Sequence, residues 1–194
     1  LIEPETLNRL VADTAETDLG VLTMLLPNPT GYGRVVRDKH GQVLRIVEQK
    51  DASEAELGIN EVNTGFIVAD HARLVGWLSR IGNDNVQREY YLTDVIKLAT
   101  DDGVRVATTL SETIEEVAGV NDRVQLAELE RYHQWRLAES LMRAGVTLLD
   151  PARIDIRGTL ECERDVMLDI NLVVEGRVRI GAGSRIGPNC VLID

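Results

Sequence analysis

The sequence predicts an α/β segment, followed by one long helix and then by a parallel β-helix. Three observations carry this prediction. Residues 21–26 form an apolar run of strand length, interrupted only by Thr23, which is typical of a strand covered on both faces. Residues 122–144 form an uninterrupted helical stretch, about 34 Å long at 1.5 Å per residue. From Ile156 onward, apolar residues recur every six positions, which is the mark of a parallel β-helix.

The composition indicates a globular protein. The chain has 194 residues, of which 44% are apolar, and a net charge of −11 that argues against nucleic acid and anionic membranes as partners. No apolar run reaches the roughly 18 residues that a membrane span needs, and no signal peptide opens the chain. Cys162 and Cys190 lack CxxC spacing and are expected to be buried thiols in a reducing cytoplasm. The start at Leu1, without an initiator Met, indicates a chain cut from something larger.

The first predicted element is a helix. Pro4 suits a first helical position, and the helix is expected to span residues 4 to about 13 with one buried face. That face is expected to consist of Leu7, Leu10 and Val11, which fall at helical spacing. The strand at residues 21–26 follows.

A hairpin and a third strand come next. Strands at residues 34–38 and 42–48 are joined by a short turn that contains Gly41. The third strand, residues 59–69, carries Asn63-Thr64-Gly65 in its middle. A glycine inside a strand indicates a bulge or a close backbone approach.

Three residues of this region are candidates for one polar ligand pocket, namely Gly33, Glu48 and Asn63. A bare backbone N–H, a carboxylate and an amide together suit the hydroxyls and the acetamido group of a sugar. The glycines of Gly31-Tyr32-Gly33 lack the third glycine and the following helix of a dinucleotide-binding fingerprint. From spacing alone, a glycine-rich turn beside a solvated hairpin end is an open alternative.

Two helices and a strand are predicted after the third strand. The first helix, residues 71–81, is expected to bury Leu74, Val75, Leu78 and Ile81, with Trp77 and Arg80 at the edges of that stripe. The second helix begins near Thr93 or Asp94, either of which is a plausible N-cap, and ends at Gly103. Its inward residues are Val95, Ile96, Leu98 and Ala99. Residues 104–109 alternate as a strand does.

The long helix and the repeat after it follow two different periods. The helix has a predicted stripe of Leu126, Leu129, His133, Leu137 and Leu141, and Asn121 could simply be its cap. The six-residue register comprises Ile156, Cys162, Leu168, Val174, Ile180, Ile186 and Leu192. A second set lies four positions after each, at Leu160, Val166, Leu172, Val178, Ser184 and Cys190. About two coils of about 18 residues fit this segment, an ordinary β-meander being the alternative.

Six blocks of the sequence, read in order, resemble a known bacterial family. They are GYGRVVRD, IVEQKDA, EVNTGF, EYYLTDVI, VAGVNDRVQLAELE and DPARIDIRGTL. The family is the bifunctional N-acetylglucosamine-1-phosphate uridyltransferase/glucosamine-1-phosphate acetyltransferase, and the resemblance runs from Leu1 to Asp194. It implies the C-terminal half of an α/β nucleotidyltransferase domain, with a Rossmann-like mixed sheet, at residues 1–123. A linker helix at residues 124–144 and the first coils of a left-handed parallel β-helix acetyltransferase domain at residues 145–194 are implied to follow.

The resemblance also implies an activity. The family makes UDP-N-acetylglucosamine for peptidoglycan and lipopolysaccharide precursors in the cytoplasm. Glucosamine 1-phosphate is acetylated by acetyl-CoA, and uridylyl is then transferred from UTP to N-acetylglucosamine 1-phosphate with release of pyrophosphate. The implied cofactor is Mg²⁺, and the implied assembly is a homotrimer through the β-helix.

By the same resemblance, the residues that bind UDP-N-acetylglucosamine are Gly33, Glu48, Asn63 and Asn121. Asn121 is also the implied metal ligand, since an amide oxygen suits Mg²⁺. Tyr91 and Thr93 are secondary candidates beside the sugar. The metal Asp and the triphosphate loop of the family are expected before Leu1, and its coenzyme A site after Asp194, so the chain alone is expected to be inactive. Two alternatives are open: another sugar-phosphate nucleotidyltransferase, such as a glucose-1-phosphate adenylyltransferase, and a non-catalytic oligomerisation module.

Overall fold

The computed structural model describes residues 1–120 and 122–194 and divides the chain into two units, Leu1–Gly119 and Val120–Asp194. Asn121 lies outside the described residues. Each unit has a hydrophobic core of its own. Among the described residues, no helix combines the length and the apolar character that crossing a bilayer requires.

The N-terminal unit is built on one mixed sheet. Its helices are α1 (Pro4–Thr14), α2 (Glu54–Leu57), α3 (His71–Leu78), α4 (Asp94–Asp101) and α5 (Ile114–Val117). Its strands are β1 (Leu19–Leu25), β2 (Arg34–Arg37), β3 (Val43–Val47), β4 (Glu61–Ala69) and β5 (Val106–Leu110). The strand order is β3-β2-β4-β1-β5, with β1 antiparallel to β4 and parallel to β5. The predicted mixed sheet with flanking helices is therefore confirmed.

Helix α1 buries Leu10, as predicted, but the other two predicted residues of its buried face are wrong. Thr6, Leu10 and Thr14 are buried, whereas Leu7 and Val11 are exposed. The reason lies in the strand below the helix, because a Cβ on Gly20 of that strand would lie 1.9 Å from the Thr14 hydroxyl oxygen. The glycine leaves room for a threonine whose hydroxyl donates back to the carbonyl of Leu10, at 2.6 Å.

The bulge predicted at Gly65 is confirmed. Val21 pairs with Ile67 and Thr23 with Asn63, so three residues of β4 lie opposite one residue of β1. The Thr64 hydroxyl donates to the carbonyl of Leu22 at 2.8 Å, and Gly65 has φ +88°. The left-handed backbone suits glycine, and the bulge sets the direction of the strand just beyond Asn63.

The apolar stripe predicted for α3 is wrong at its centre. Trp77 is 3% exposed and lies in the core, while Val75 and Leu78 are exposed. The indole N–H donates to Asp102 Oδ2 at 3.0 Å, so the large ring is buried with its polar atom satisfied. Helix α4 buries Val95, Ile96 and Ala99, as predicted.

The C-terminal unit begins with α6 (Arg123–Arg143). Asp122 is its N-cap and accepts from the backbone N–H groups of Val124 and Gln125, both at 2.8 Å. The buried residues of α6 are Gln134 and Ala138, and Leu126 is exposed, so the predicted stripe is wrong for the first turns of the helix. The strands that follow are β6 (Thr147–Leu148), β7 (Ile154–Cys162), β8 (Met167–Leu168), β9 (Leu172–Ile180), β10 (Arg185–Ile186) and β11 (Val191–Ile193).

These strands form two parallel sheets, β6-β8-β10 and β7-β9-β11. Ile154 pairs with Leu172 and Met167 with Arg185, so the coils repeat at 18 residues. The corners repeat with the same offset, since left-handed φ angles recur at Gly158 and Gly176, Asp165 and Gly183, and Asn171 and Asn189. Both predicted inward sets contribute to the core, where Val166, Leu168, Leu172 and Val174 are fully buried. The predicted parallel coil is therefore confirmed in its strand direction and period.

Candidate functional site

The N-terminal unit contains a cavity of about 230 Å³ between one face of β4 and the start of α4. Four predicted site residues line it, namely Glu48, Asn63, Tyr91 and Thr93. Its apolar walls are formed by Ile46, Ile67, Leu92 and Ile96. A mainly apolar cavity with a few convergent polar groups is the usual form of a small-molecule site. We call it the β4–α4 cavity.

Gly33, Glu48 and Asn63 lie next to one another. The Asn63 backbone N–H donates to the carbonyl of Gly33 at 2.9 Å. A Cβ on Gly33 would lie 3.3 Å from each carboxylate oxygen of Glu48 and 2.9 Å from Ile46 Cγ2. Any side chain at position 33 would therefore press against the carboxylate, which explains why glycine suits this position.

The carboxylate of Glu48 is held from the α4 side. The Thr93 hydroxyl donates to Glu48 Oε1 at 2.9 Å. Thr93 is the N-cap residue of α4, but its side chain makes no capping hydrogen bond, so the predicted capping role of this side chain is wrong. Within residues 1–120 and 122–194, no group donates to Glu48 Oε2. The hydrogen bond from Thr93 thus holds the carboxylate of Glu48 in place at the wall of the β4–α4 cavity.

A second cavity, of about 350 Å³, shares Ile46, Glu48 and Tyr91 with the first. The Tyr91 hydroxyl and Asp51 Oδ2 are buried there and have no hydrogen-bond partner among the described residues. Burial raises the pKa of the Tyr91 hydroxyl, and the negative charge of Asp51 raises it further. Burial and Asp51 likewise raise the pKa of Asp94.

Sequence reasoning missed Asp51, although it lies in the quoted block IVEQKDA. Its other oxygen, Oδ1, accepts from the backbone N–H of Val86 at 2.9 Å and so ties a loop 35 residues away to the end of β3. No local pattern reports such a long-range contact. The only sequence signal for Asp51 was its position in the same block as Glu48, since both residues directly follow the same strand.

Asn121, the predicted nucleotide and metal ligand, lies outside the described residues. The neighbouring Asp122 caps α6, so the capping role that the sequence allowed for Asn121 belongs to Asp122. In the part of the chain that the structure describes, no group of three or more His, Cys, Asp or Glu side chains could hold a metal ion.

Comparison with known proteins gives a consistent result. No family model matches the chain. The chain is 56% identical, over all 194 residues, to the bifunctional protein GlmU of Azoarcus sp. strain BH72, and it spans 43% of that protein. It is 55% identical over 192 residues, 99% of its length, to the bifunctional proteins GlmU of Burkholderia mallei and Cupriavidus necator, and spans 42% of each. These matches confirm the resemblance that the six sequence blocks indicated.

Proposed function

We infer that this chain is a segment of a bifunctional protein of the GlmU family, and we propose that it takes part in the synthesis of UDP-N-acetylglucosamine. The chain spans less than half the length of the relatives it matches. We therefore assign to it the sugar-binding side of a uridyltransferase site. The observation that carries the proposal is the β4–α4 cavity, where Glu48 and Asn63 converge beside the bare backbone of Gly33.

Each of these groups has a distinct role toward N-acetylglucosamine 1-phosphate. Glu48 Oε2 accepts a hydrogen bond from a ring hydroxyl, while Thr93 keeps the carboxylate in place through Oε1. Asn63 Oδ1 accepts from the Gly65 backbone N–H at 3.2 Å, so the amide N–H groups are the ones that would donate to the carbonyl of an acetamido group, and the isoleucines of the cavity would cover its methyl. The phosphate of the sugar is itself the nucleophile, so the cavity needs to position it rather than supply a base.

Mg²⁺ supplies charge neutralisation on the phosphates when it is bound. We propose that Asn121 contributes one oxygen ligand to it and contacts the nucleotide. Other ligands would come from outside the described residues, which hold no ligand cluster of their own.

Substitution of Glu48 tests the sugar site. In a full-length protein that contains this chain, Glu48→Ala should raise the KM for N-acetylglucosamine 1-phosphate about 10- to 100-fold, because a hydrogen bond to a charged group is worth about 1.5–3 kcal/mol. The KM for UTP should stay nearly unchanged. Initial rates measured while each substrate is varied separately decide this. Glu54→Ala, at an exposed position of α2, is the matched control. Equal effects on both substrates would contradict the assignment.

The assignment of Asn121 is tested against its neighbour. Asn121→Ala should shift the Mg²⁺ concentration that gives half-maximal activity, with little change in thermal stability. Asp122→Ala should do the reverse and cost about 1 kcal/mol, because it removes the side chain that caps α6. Magnesium titrations and melting curves of both variants separate the two roles. A lower melting temperature for Asn121→Ala with an unchanged titration would exclude the metal role.

The C-terminal unit has a proposed function of its own. We propose that residues 145–194 begin a left-handed β-helix that acetylates glucosamine 1-phosphate with acetyl-CoA and joins the protein into a homotrimer. The parallel 18-residue coil supports this. Sedimentation velocity of a full-length protein should give the mass of three chains, and a monomer would contradict the proposed assembly. A non-catalytic oligomerisation module would show the same mass without coenzyme A release.

A further inference from the structure

Two side chains hold the glycine loop that precedes β2. Gln49 Oε1 accepts from the Gly31 backbone N–H at 2.9 Å and from Arg34 Nη2 at 2.8 Å. Arg34 Nη1 donates to the carbonyl of Tyr32. Arg34 and Gln49, which we call the clasp, thus bind both the N–H of Gly31 and the C=O of Tyr32. The loop residues 31 and 32 are joined to the end of β3 through them.

Arg34 is an unusual group to find in this place. It is 2% exposed, its Nε has no hydrogen-bond partner among the described residues, and no carboxylate of those residues lies within ion-pair distance of it. Burying a guanidinium without a counter-charge is costly. The next arginine in the strand, Arg37, has the ordinary arrangement, since its Nε donates to Glu61 Oε2 at 2.8 Å. The hydrogen bonds of the Arg34 guanidinium go instead to the loop and to Gln49.

The loop that the clasp holds leads directly into Gly33. Gly31 has φ +90°, a conformation open to glycine, and no atom lies within 4 Å of where its Cβ would be. The next residue, Tyr32, packs against the core that includes Leu22 and Val62. The Gly33 carbonyl is fixed on its other side by the backbone N–H of Asn63. The clasp on one side and β4 on the other therefore determine where the Gly33 backbone lies relative to Glu48.

We propose that Arg34 and Gln49 are positioning residues that hold the Gly33 backbone against the sugar phosphate. This rests on the proposed sugar site in the β4–α4 cavity. Neither residue lines that cavity, and Gly33 is not a lining residue either, but Gly33 lies against Glu48 and Asn63, which are. Arg34 and Gln49 therefore act through the glycine loop rather than by touching the ligand. Arginine suits this position better than lysine, because its planar guanidinium reaches two acceptors at once through Nη1 and Nη2, whereas the ammonium of lysine is a single charged group.

Three variants of the 194-residue chain test the proposal by titration with N-acetylglucosamine 1-phosphate. Gln49→Met keeps the length of the side chain and removes its acceptor, and we expect about tenfold weaker binding. Gln49→Glu keeps an acceptor for Gly31 and gives Arg34 a carboxylate, so binding should stay within about twofold of the unsubstituted chain. Arg34→Lys should resemble Gln49→Met, because an ammonium group cannot reproduce the fork. Gln87→Met, at an exposed glutamine, is the control.

A second readout needs no ligand. Hydrogen exchange of the Gly31 amide, followed by NMR, should speed up in Gln49→Met and not in Gln49→Glu, because only the glutamate keeps its acceptor. Melting curves identify any variant that is simply unfolded. A merely structural role would lower the melting temperature of Gln49→Met without this pattern of rescue by glutamate.

The outcomes separate the two proposals. If the unsubstituted chain binds the sugar phosphate and Gln49→Met binds it equally well, the proposed positioning role of the clasp is wrong, while the proposed sugar site is retained. If the unsubstituted chain shows no binding, the proposed sugar site is wrong, and the positioning role falls with it. If the Gly31 amide exchanges at the same rate in both Gln49 variants, the clasp is overturned whatever the affinities are.

Discussion

Leu168→Ala should destabilise the C-terminal unit by about 2–5 kcal/mol, the range for removing a large apolar side chain from a packed core. Leu168 is fully buried and lies in β8, between β6 and β10. Its neighbours above and below are backbone-paired coils that cannot collapse into the space without losing register. The effect should therefore lie in the upper part of the range.

The two tryptophans of the chain allow this to be measured unit by unit. Trp77 belongs to the N-terminal unit and Trp135 to α6 of the C-terminal unit. Urea unfolding followed at Trp135, in a Trp77→Phe background, should show the lowered midpoint. Val191→Ala, at a 60% exposed position of β11, is the control and should change the midpoint little. An equal effect of both substitutions would mean that position 168 does not face the interior of the coil.

The parallel 18-residue coil and the bulge were predictable because each depends on a local signal. A six-residue period indicates which side chains face inward, and a glycine within a strand indicates where the regular hydrogen bonding between two strands is interrupted. The faces of α1 and α3 were not predictable in this way. Thr14 is buried because Gly20 leaves room for it, and Trp77 is buried because Asp102, 25 residues away, accepts its N–H. The spacing of apolar residues along a helix does not indicate either of these contacts.

The candidate site shows the same division. Glu48, Asn63 and Gly33 were predicted to share a cleft. Glu48 and Asn63 line the β4–α4 cavity, and Gly33 lies beside both of them without being one of its lining residues. The hydrogen bond from Thr93 to Glu48 joins two residues that are 45 positions apart in the sequence. It was not predicted, since a threonine before a helix normally indicates an N-cap. Arg34 and Gln49 lie inside the quoted blocks, but their contacts cross the hairpin and depend on how deeply Arg34 is buried.

A polypeptide of residues 1–194 should bind N-acetylglucosamine 1-phosphate without catalysing either reaction of the family. Uridylyl transfer depends on neutralising charge at the reacting phosphates, chiefly through Mg²⁺. The proposed Mg²⁺ ligand, Asn121, is a neutral amide, whereas Mg²⁺ at phosphoryl-transfer sites is usually held by one or two carboxylates together with substrate phosphates and water. The proposed sugar site would hold its ligand, but the charge on the reacting phosphates would remain uncompensated.

Two assays on the purified polypeptide measure this expectation, one for UTP-dependent release of pyrophosphate and one for release of coenzyme A thiol. Both should give the rate of a protein-free blank, while a full-length relative assayed in parallel is active. A cooperative melting curve of the same preparation shows that the polypeptide is folded, so an inactive sample cannot be mistaken for a denatured one. Magnesium-dependent turnover that Asn121→Ala abolishes would contradict the prediction. It would mean that other residues of this chain complete a reacting site. Asp51 and Asp94, which line the same cavity as Tyr91, would be the first candidates.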